Sequence, residues 1–197
     1  IEELKHYRSQ MAHEVNLNSI SAKAPIAYKW VCLYKSWNIR ELVMYRLLDL
    51  LEGAESNQKE YSHIISAILT RASIETIAIL IRLNTLTEKV TNGQLDFFEF
   101  DDELDSLIFG SRTDDTPFTS KNSVTLVQKA DPKYEGLLAS FKSLCEKAHP
   151  NFAGLMNAYS KHHDKGTYTL FEPQYTVENT DYNLIRRIIN IFHVEYN

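Results

Sequence analysis

One apolar segment, from about Gln58 to Val90, constrains the fold of this chain more than any other part of it. Its apolar residues recur at intervals of three and four, and they include Ile64, Ile65, Ile68, Ala72, Ile79, Leu80, Leu83 and Leu86. This spacing predicts an α-helix whose centre is apolar on most sides, which is typical of a helix buried in a core. Because Arg71, Glu75 and Arg82 break the run, a core helix is favoured over a membrane span. Gly93 predicts its end.

The other periodic segments are also predicted to be helices. They lie at about 3–16, 26–51 (one helix or two, with any interruption expected at Trp37-Asn38 and an end at "EGAESN"), 95–109, 124–129, 134–148, 152–162 and 181–196. Only six glycines and five prolines occur in 197 residues, which favours helices over tight turns. Residues 166–178 predict an extended segment with a short hairpin about Glu172-Pro173. We therefore predict one domain, 1–197, that is an all-α helical bundle with a long central helix and a short β-hairpin near the C-terminus.

The charge of the chain is concentrated in one acidic segment. The net charge is −5, and residues 94–115 hold eight acids against the single base Arg112. The remainder is close to neutral, so no overall basic excess indicates nucleic-acid binding. The region of about 94–123 is predicted to be an acidic helix followed by a loop. The acidic side of that helix is either an interaction face or a solvated face.

The cysteines and the N-terminus indicate a cytoplasmic protein. Cys32 and Cys145 are the only cysteines, which is too few for a disulfide framework, so we expect reduced thiols in the core. The N-terminal stretch "IEELKHYRSQMAHEV" is charged and lacks the apolar centre of a signal peptide. The sequence begins at Ile1, which favours a piece of a longer protein.

His149-Pro150-Asn151 is predicted to form a corner between two helices. Proline disfavours a helical conformation in the residue before it, so His149 is expected at the end of one helix. Asn151 is expected to cap the start of the next helix. The corner has two interpretations. It is an ordinary helix boundary with a polar cap, or it holds His149 rigidly for proton transfer near neutral pH.

Arg71 and Glu75 lie four residues apart on the central helix, so they are expected to pair on one face. The pair is either an ion pair at the rim of the core or a charged pair that lines a cleft. A buried charge requires a partner, so pairing explains both residues without invoking a function.

No motif in the sequence predicts a metal or a cofactor. His162-His163-Asp164 is interpreted as a solvated helix end and not as a metal site, because adjacent histidines on a helix point about 100° apart and could share one metal only if the helix ended there. The sequence contains no HExxH, CxxC, GxxxxGK[ST], GxGxxG or GxSxG motif.

The segments "RASIETIAILIRLN" and "KADPKYEGLLASFKSLCEKAHPNFAGLM" give the chain a family resemblance. Over roughly residues 60–160 it resembles the HEPN superfamily of helical proteins, which occur in prokaryotic toxin–antitoxin and antiphage systems. The stretch from Ser143 to Asn151 is its most specific part. The resemblance implies a cytoplasmic homodimer and a metal-independent endoribonuclease, whose motif is an arginine, four to six intervening residues and a histidine.

In this chain the histidine of that motif would be His149, and the arginine is missing. Lys142 stands before His149 with six residues between them, and Lys147 is closer, but lysine lacks the planar guanidinium fork. On the ribonuclease hypothesis His149 is the acid–base group. Lys142 or Arg71 (with Glu75) stabilises the phosphate, and Asn151 has an orienting role.

The alternative hypothesis is a non-catalytic helical module that binds a protein partner, a nucleotide or RNA. An antitoxin-like protein is the expected kind of protein partner. Neither hypothesis calls for a cofactor, a metal or a membrane.

Overall fold

The computed structural model describes residues 2–23, 31–59, 63–113, 115–163, 168–172 and 179–196. Its helices are α1 (Glu2–Gln10), α2 (Leu17–Lys23), α3 (Val31–Lys59), α4 (His63–Thr91), α5 (Phe97–Ile108), α6 (Ser123–Ala130) and α7 (Leu137–Ala148). A π-helix (Phe152–Met156) and the single turn α8 (Asn157–Tyr159) lead into the antiparallel strands β1 (Ser160–His163) and β2 (Tyr168–Phe171), and α9 (Asn179–Tyr196) follows. The predicted all-α bundle with a long central helix and a small hairpin near the C-terminus is confirmed.

The central helix is α4, which packs against α3, α5, α6, α7 and α9. Its fully buried side chains include Ile74, Ile77, Leu80 and Leu86. It runs antiparallel to α3, since Arg46 Nε donates to Thr76 Oγ1 at 3.2 Å and Gly53 lies against Leu69. By length and composition α4 could cross a membrane, but 56% of its apolar window is buried inside the bundle. In the bundle it is therefore the core helix.

The helix α3 is longer than the sequence predicted. Of the two alternatives, one helix or two, the structure has one, because α3 continues through Trp37-Asn38 and Asn38 Nδ2 donates to a carbonyl one turn earlier at 2.9 Å. The "EGAESN" stretch does not end the helix either. At Gly53, α3 is packed against α4, where a Cβ would stand 3.1 Å from the flexible end of the Leu69 side chain. This packing outweighs the low intrinsic helix propensity of the stretch. The predicted start at Ile26 lies outside the described residues.

The acidic helix α5 turns several of its carboxylates toward the bundle. Lys35 Nζ of α3 lies 2.9 Å from Asp101 and 2.6 Å from Asp105, and Arg82 of α4 lies 2.8 Å from Glu103. These pairs fasten α5 to the two longest helices. Asp101, Glu103 and Asp105 therefore hold α5 in place. The interpretations of the acidic side as an interaction face or a solvated face apply only to the remaining, exposed carboxylates of this helix.

The C-terminal helix α9 is held by a buried carboxylate. Glu195 accepts hydrogen bonds from Asn84 Nδ2 and Tyr134 Oη, both at 2.6 Å, and from Lys133 Nζ at 2.8 Å. Burial by itself would raise the pKa of Glu195, but these donors bring it below its ordinary value. Burial and the neighbouring Glu195 carboxylate raise the pKa of Tyr134, so the phenol stays protonated and donates. The network ties α9 to α4 and to the turn before α7.

The segment after α7 corrects two predictions. The predicted helix over 152–162 is wrong beyond Tyr159, because Ser160 begins β1 and its Oγ donates to the Met156 carbonyl at 2.6 Å. The predicted turn about Glu172-Pro173 is also misplaced. β2 ends before Glu172 and pairs with the earlier strand β1, and the residues that connect the two strands, 164–167, lie outside the described residues. Of the predicted extended segment 166–178, the structure describes residues 168–172.

Candidate functional site

The corner at His149 has the backbone that the sequence predicted. His149 ends α7 in an extended conformation, with φ −80° and ψ 146°, as expected of a residue before proline. Its N–H donates to the Cys145 carbonyl at 3.0 Å, and its own carbonyl accepts from Asn151 N–H at 2.8 Å. Asn151 Oδ1 accepts from Gly154 N–H at 3.1 Å. The predicted cap by Asn151 is confirmed, and the element that it caps is a π-helix.

Gly154 makes this corner tight. A Cβ at this position would stand 2.0 Å from the His149 carbonyl oxygen and 2.7 Å from the Lys147 carbonyl oxygen. Both neighbours are backbone atoms at the end of α7, so they cannot move aside like a flexible side chain. The π-helix therefore turns back closely over the end of α7, and the backbone around His149 is fixed from both sides. Wide helical turns of this kind occur frequently at functional sites.

The side chain of His149 is exposed, and no residue in the described part of the chain gives its imidazole a hydrogen-bond partner. Lys142 and Glu146 are also exposed on α7. Lys142 lies seven residues and Glu146 three residues before His149, so the three residues share one face of the helix. Asn151 Nδ2 donates to Glu146 Oε2 at 2.7 Å, which holds that carboxylate at the corner. His149 therefore has a carboxylate between it and Lys142.

Arg71 and Glu75 form the predicted ion pair. Their closest charged atoms, Arg71 Nη2 and Glu75 Oε1, are 3.3 Å apart. The pair lacks an aligned hydrogen bond, since Arg71 Nε and Glu75 Oε1 are buried without hydrogen-bond partners. The guanidinium carbon lies 5.7 Å from the centre of the Phe141 ring on α7. Phe141 precedes His149 by about 12 Å along the helix axis. The structure thus brings Arg71 to α7, but two turns away from His149.

The metal-ligating residue types do not come together in the described residues, where no group of three or more His, Cys, Asp or Glu could hold a metal ion. His162 and His163 lie in β1, paired through the backbone with Thr169 and Tyr168, and not at the predicted helix end. Cys32 is buried, whereas Cys145 is only partly buried. Burial and Asp101 raise the pKa of the Cys32 thiol, which keeps it protonated and unreactive.

An exposed apolar surface adjoins the corner, and sequence reasoning missed it. We call it the C-terminal apolar surface, and it consists of Phe152, Leu155, Met156, Tyr159 and Phe171. The first four follow the three- and four-residue spacing of a buried helix face, so their pattern predicts burial. The surface becomes visible only with the π-helix and the hairpin in place. Contiguous exposed apolar surfaces mark interaction sites in soluble proteins.

No protein-family model, curated protein or solved structure matches this chain. The functional argument therefore depends on the corner at His149, the charges around it and the adjoining apolar surface.

Proposed function

We propose that this chain is a HEPN-like helical module that binds a partner and does not cleave RNA. The observation that carries the proposal is the position of Glu146. Its carboxylate lies on the α7 face shared by Lys142 and His149 and is held there by Asn151. A metal-independent ribonuclease needs a cation beside its histidine to stabilise the phosphate. A carboxylate in that position repels phosphate instead.

The charge of Arg71 does not replace the missing cation. Its guanidinium is paired with Glu75 and stacked over Phe141, two helical turns before the corner. To bind a phosphate at His149, Arg71 would have to leave both contacts and cross that distance. The resemblance to HEPN proteins therefore supports the helical module, whereas the local charges argue against the reaction.

A second copy of this chain is the partner that the C-terminal apolar surface suits. Phe152, Tyr159 and Phe171 are 67%, 46% and 84% exposed. At roughly 200 Å² for a whole aromatic side chain, they expose on the order of 400 Å². In a two-fold dimer each copy contributes the same surface, so the aromatic rings alone bury on the order of 800 Å². The aliphatic members and a polar rim would bring the total toward the roughly 1,200–2,000 Å² of a stable interface.

The biological setting of the proposal comes from the resemblance. We place the homodimer in the cytoplasm, as part of a prokaryotic toxin–antitoxin or antiphage system, with an antitoxin-like protein as its further partner. The C-terminal apolar surface starts three residues after His149, so pairing would set the two histidine corners at the edge of the dimer interface.

A ribonuclease is the second candidate function, and one observation favours it. His149 is exposed on a corner whose backbone is fixed by Asn151 and Gly154, and Lys142 is exposed on the same helix face. An exposed imidazole with a fixed backbone can act as a general acid or base. In this case Lys142 would supply the positive charge.

Sedimentation of the full chain tests the dimer. Wild type is expected to sediment as a dimer at micromolar concentration, and the variant with Phe152→Ser and Leu155→Ser as a folded monomer. Leu42→Ser is the matched control, because Leu42 is a similarly exposed leucine on α3. A monomeric wild type, or a control that dissociates as readily as the double variant, would contradict the proposed dimer.

An RNA-cleavage assay separates the two candidate functions. On our proposal, wild type and His149→Ala leave a mixed single-stranded RNA equally intact. Metal-independent cleavage by wild type that is lost in both His149→Ala and Lys142→Ala would establish the ribonuclease in place of the binding module. Expression of both proteins in growing cells provides a parallel test, since a toxin of the ribonuclease type slows growth only when His149 is present.

A further inference from the structure

A groove between the first and last helices contains a set of polar side chains that the corner at His149 does not involve. It has a volume of about 500 Å³ and lies between α1 and α9. The described residues that line it are Glu3, His6, Tyr7, Ile189, Asn190 and His193. A volume of this size is within the range of small-molecule sites in proteins.

The lining is built from one face of each helix. On α1, three- and four-residue spacing sets Glu3, His6 and Tyr7 side by side, and on α9 Asn190 and His193 are similarly near neighbours. Tyr7 and Ile189 are buried and form an apolar floor, while the other lining residues stand exposed at the rim. The groove therefore combines an apolar floor with hydrogen-bonding groups at its rim, which is the usual composition of a small-molecule pocket.

The floor is rigid. The Tyr7 ring meets Phe192 edge-on, with ring centres 4.9 Å apart, and the Tyr7 hydroxyl is hydrogen-bonded to His193 Nδ1. Burial, and then the nearby Glu3 carboxylate, raise the pKa of Tyr7, so the phenol keeps its proton. Phe192 is itself fully buried, so the contact anchors the groove to the core.

The charges at the rim narrow the class of ligand. Among the described lining residues Glu3 supplies a carboxylate, and none of them is a lysine or an arginine. Free anions are therefore disfavoured, and the described residues offer no metal-binding group. Glu3 can only accept hydrogen bonds, whereas the Asn190 amide both donates and accepts. The groove thus suits an uncharged planar molecule with a donating amine beside a ring acceptor.

We propose that this groove binds a nucleobase that carries an exocyclic amine, as cytosine, adenine and guanine do. The amine donates to the Glu3 carboxylate, the Asn190 amide pairs with the adjacent ring atoms, and the base lies over the floor of Tyr7 and Ile189. Carboxylates accept from the amine of cytosine, and asparagine pairs with adenine, in known base recognition. Uracil presents a carbonyl oxygen in place of the amine, so the carboxylate repels it.

Titration of the full chain with nucleosides tests the proposal. Cytidine is expected to bind saturably and at least about tenfold more tightly than uridine, which differs from it chiefly at the amine. Adenosine and guanosine are expected to bind as well. Equal binding of cytidine and uridine, or no saturable binding of any nucleoside below about 10 mM, overturns the proposal.

Variants assign the binding to the groove. Asn190→Ala is expected to weaken cytidine binding by about tenfold, while Asn183→Ala, at an exposed asparagine on the same helix, leaves it unchanged. Glu3→Gln is expected to let uridine bind, because the new amide can donate to its carbonyl oxygen. Equal losses in the two asparagine variants, or no gain for uridine in E3Q, contradict the assignment. Comparing cytidine with short oligocytidine RNA then shows whether the base comes from a free nucleoside or from RNA.

Discussion

Gly154 lies directly against the carbonyl of His149, at a distance that leaves no room for any side chain. A Cβ on Gly154 would stand 2.0 Å from the His149 oxygen. This contact lets the π-helix double back over the end of α7, and it places the C-terminal apolar surface next to the histidine corner. One glycine therefore links the backbone at His149 to the surface that we propose as a dimer interface.

Gly154→Ala is expected to destabilise the protein by about 1–3 kcal/mol, because the added methyl group meets backbone atoms that can shift only with the corner. Urea unfolding measures the loss. Gly53→Ala is the control, since a methyl group there meets only the flexible end of Leu69, at 3.1 Å, and gains helix propensity. If both alanine variants unfold at the same urea concentration as wild type, the close approach at Gly154 is not a constraint.

The two hydrogen bonds of the Asn151 side chain can be separated by substitution. Asn151→Ala removes the cap on Gly154 N–H and the bond to Glu146, and a lost cap costs about 1 kcal/mol. Asn151→Ser keeps an oxygen that can cap but loses the donor to Glu146. Denaturant unfolding should therefore rank wild type first, serine second and alanine last. A serine variant as unstable as the alanine variant would show that the cap contributes little.

The Arg71–Glu75 pair is expected to contribute little to stability, despite its place on the core helix. Both side chains are partly exposed, and the pair lacks an aligned hydrogen bond. A double-mutant cycle with Arg71→Met and Glu75→Gln should give a coupling free energy below about 1 kcal/mol that shrinks in high salt. A coupling above about 2 kcal/mol that persists in salt would mean that the pair behaves as a buried ion pair.

The helical fold could be predicted from the sequence because local spacing reports which residues are buried in a helix. The apolar repeat of α4 and the Pro150 corner after α7 both act over a few residues, and both predictions agree with the structure. The errors came where distant packing decides. Gly53 looks like a helix end, but it is the point where α3 approaches Leu69. The strand at Ser160 depends on a partner strand that local patterns do not specify.

The candidate site was predictable only in part, for the same reason. The cap by Asn151 is a local property, and so is the Arg71–Glu75 pairing. The position of Arg71 over Phe141, and not beside His149, depends on how α4 packs on α7. The groove at Tyr7 and His193 joins residues from the two ends of the chain, so no sequence window contains it.

The buried carboxylate of Glu195 should make stability depend on pH in the acid range. Its pKa in the folded protein is below its ordinary value, so its contribution is fully present above the unfolded pKa of about 4.3 and is lost as the pH falls through the lower folded value. Urea unfolding between about pH 7 and pH 3 should show wild type more stable than Glu195→Gln at neutral pH, with the difference narrowing in acid. Glu88→Gln, at an exposed position of α4, is the control and should follow wild type throughout. A constant difference between wild type and E195Q across this range would mean that the donors from Asn84, Tyr134 and Lys133 do not favour the charged carboxylate.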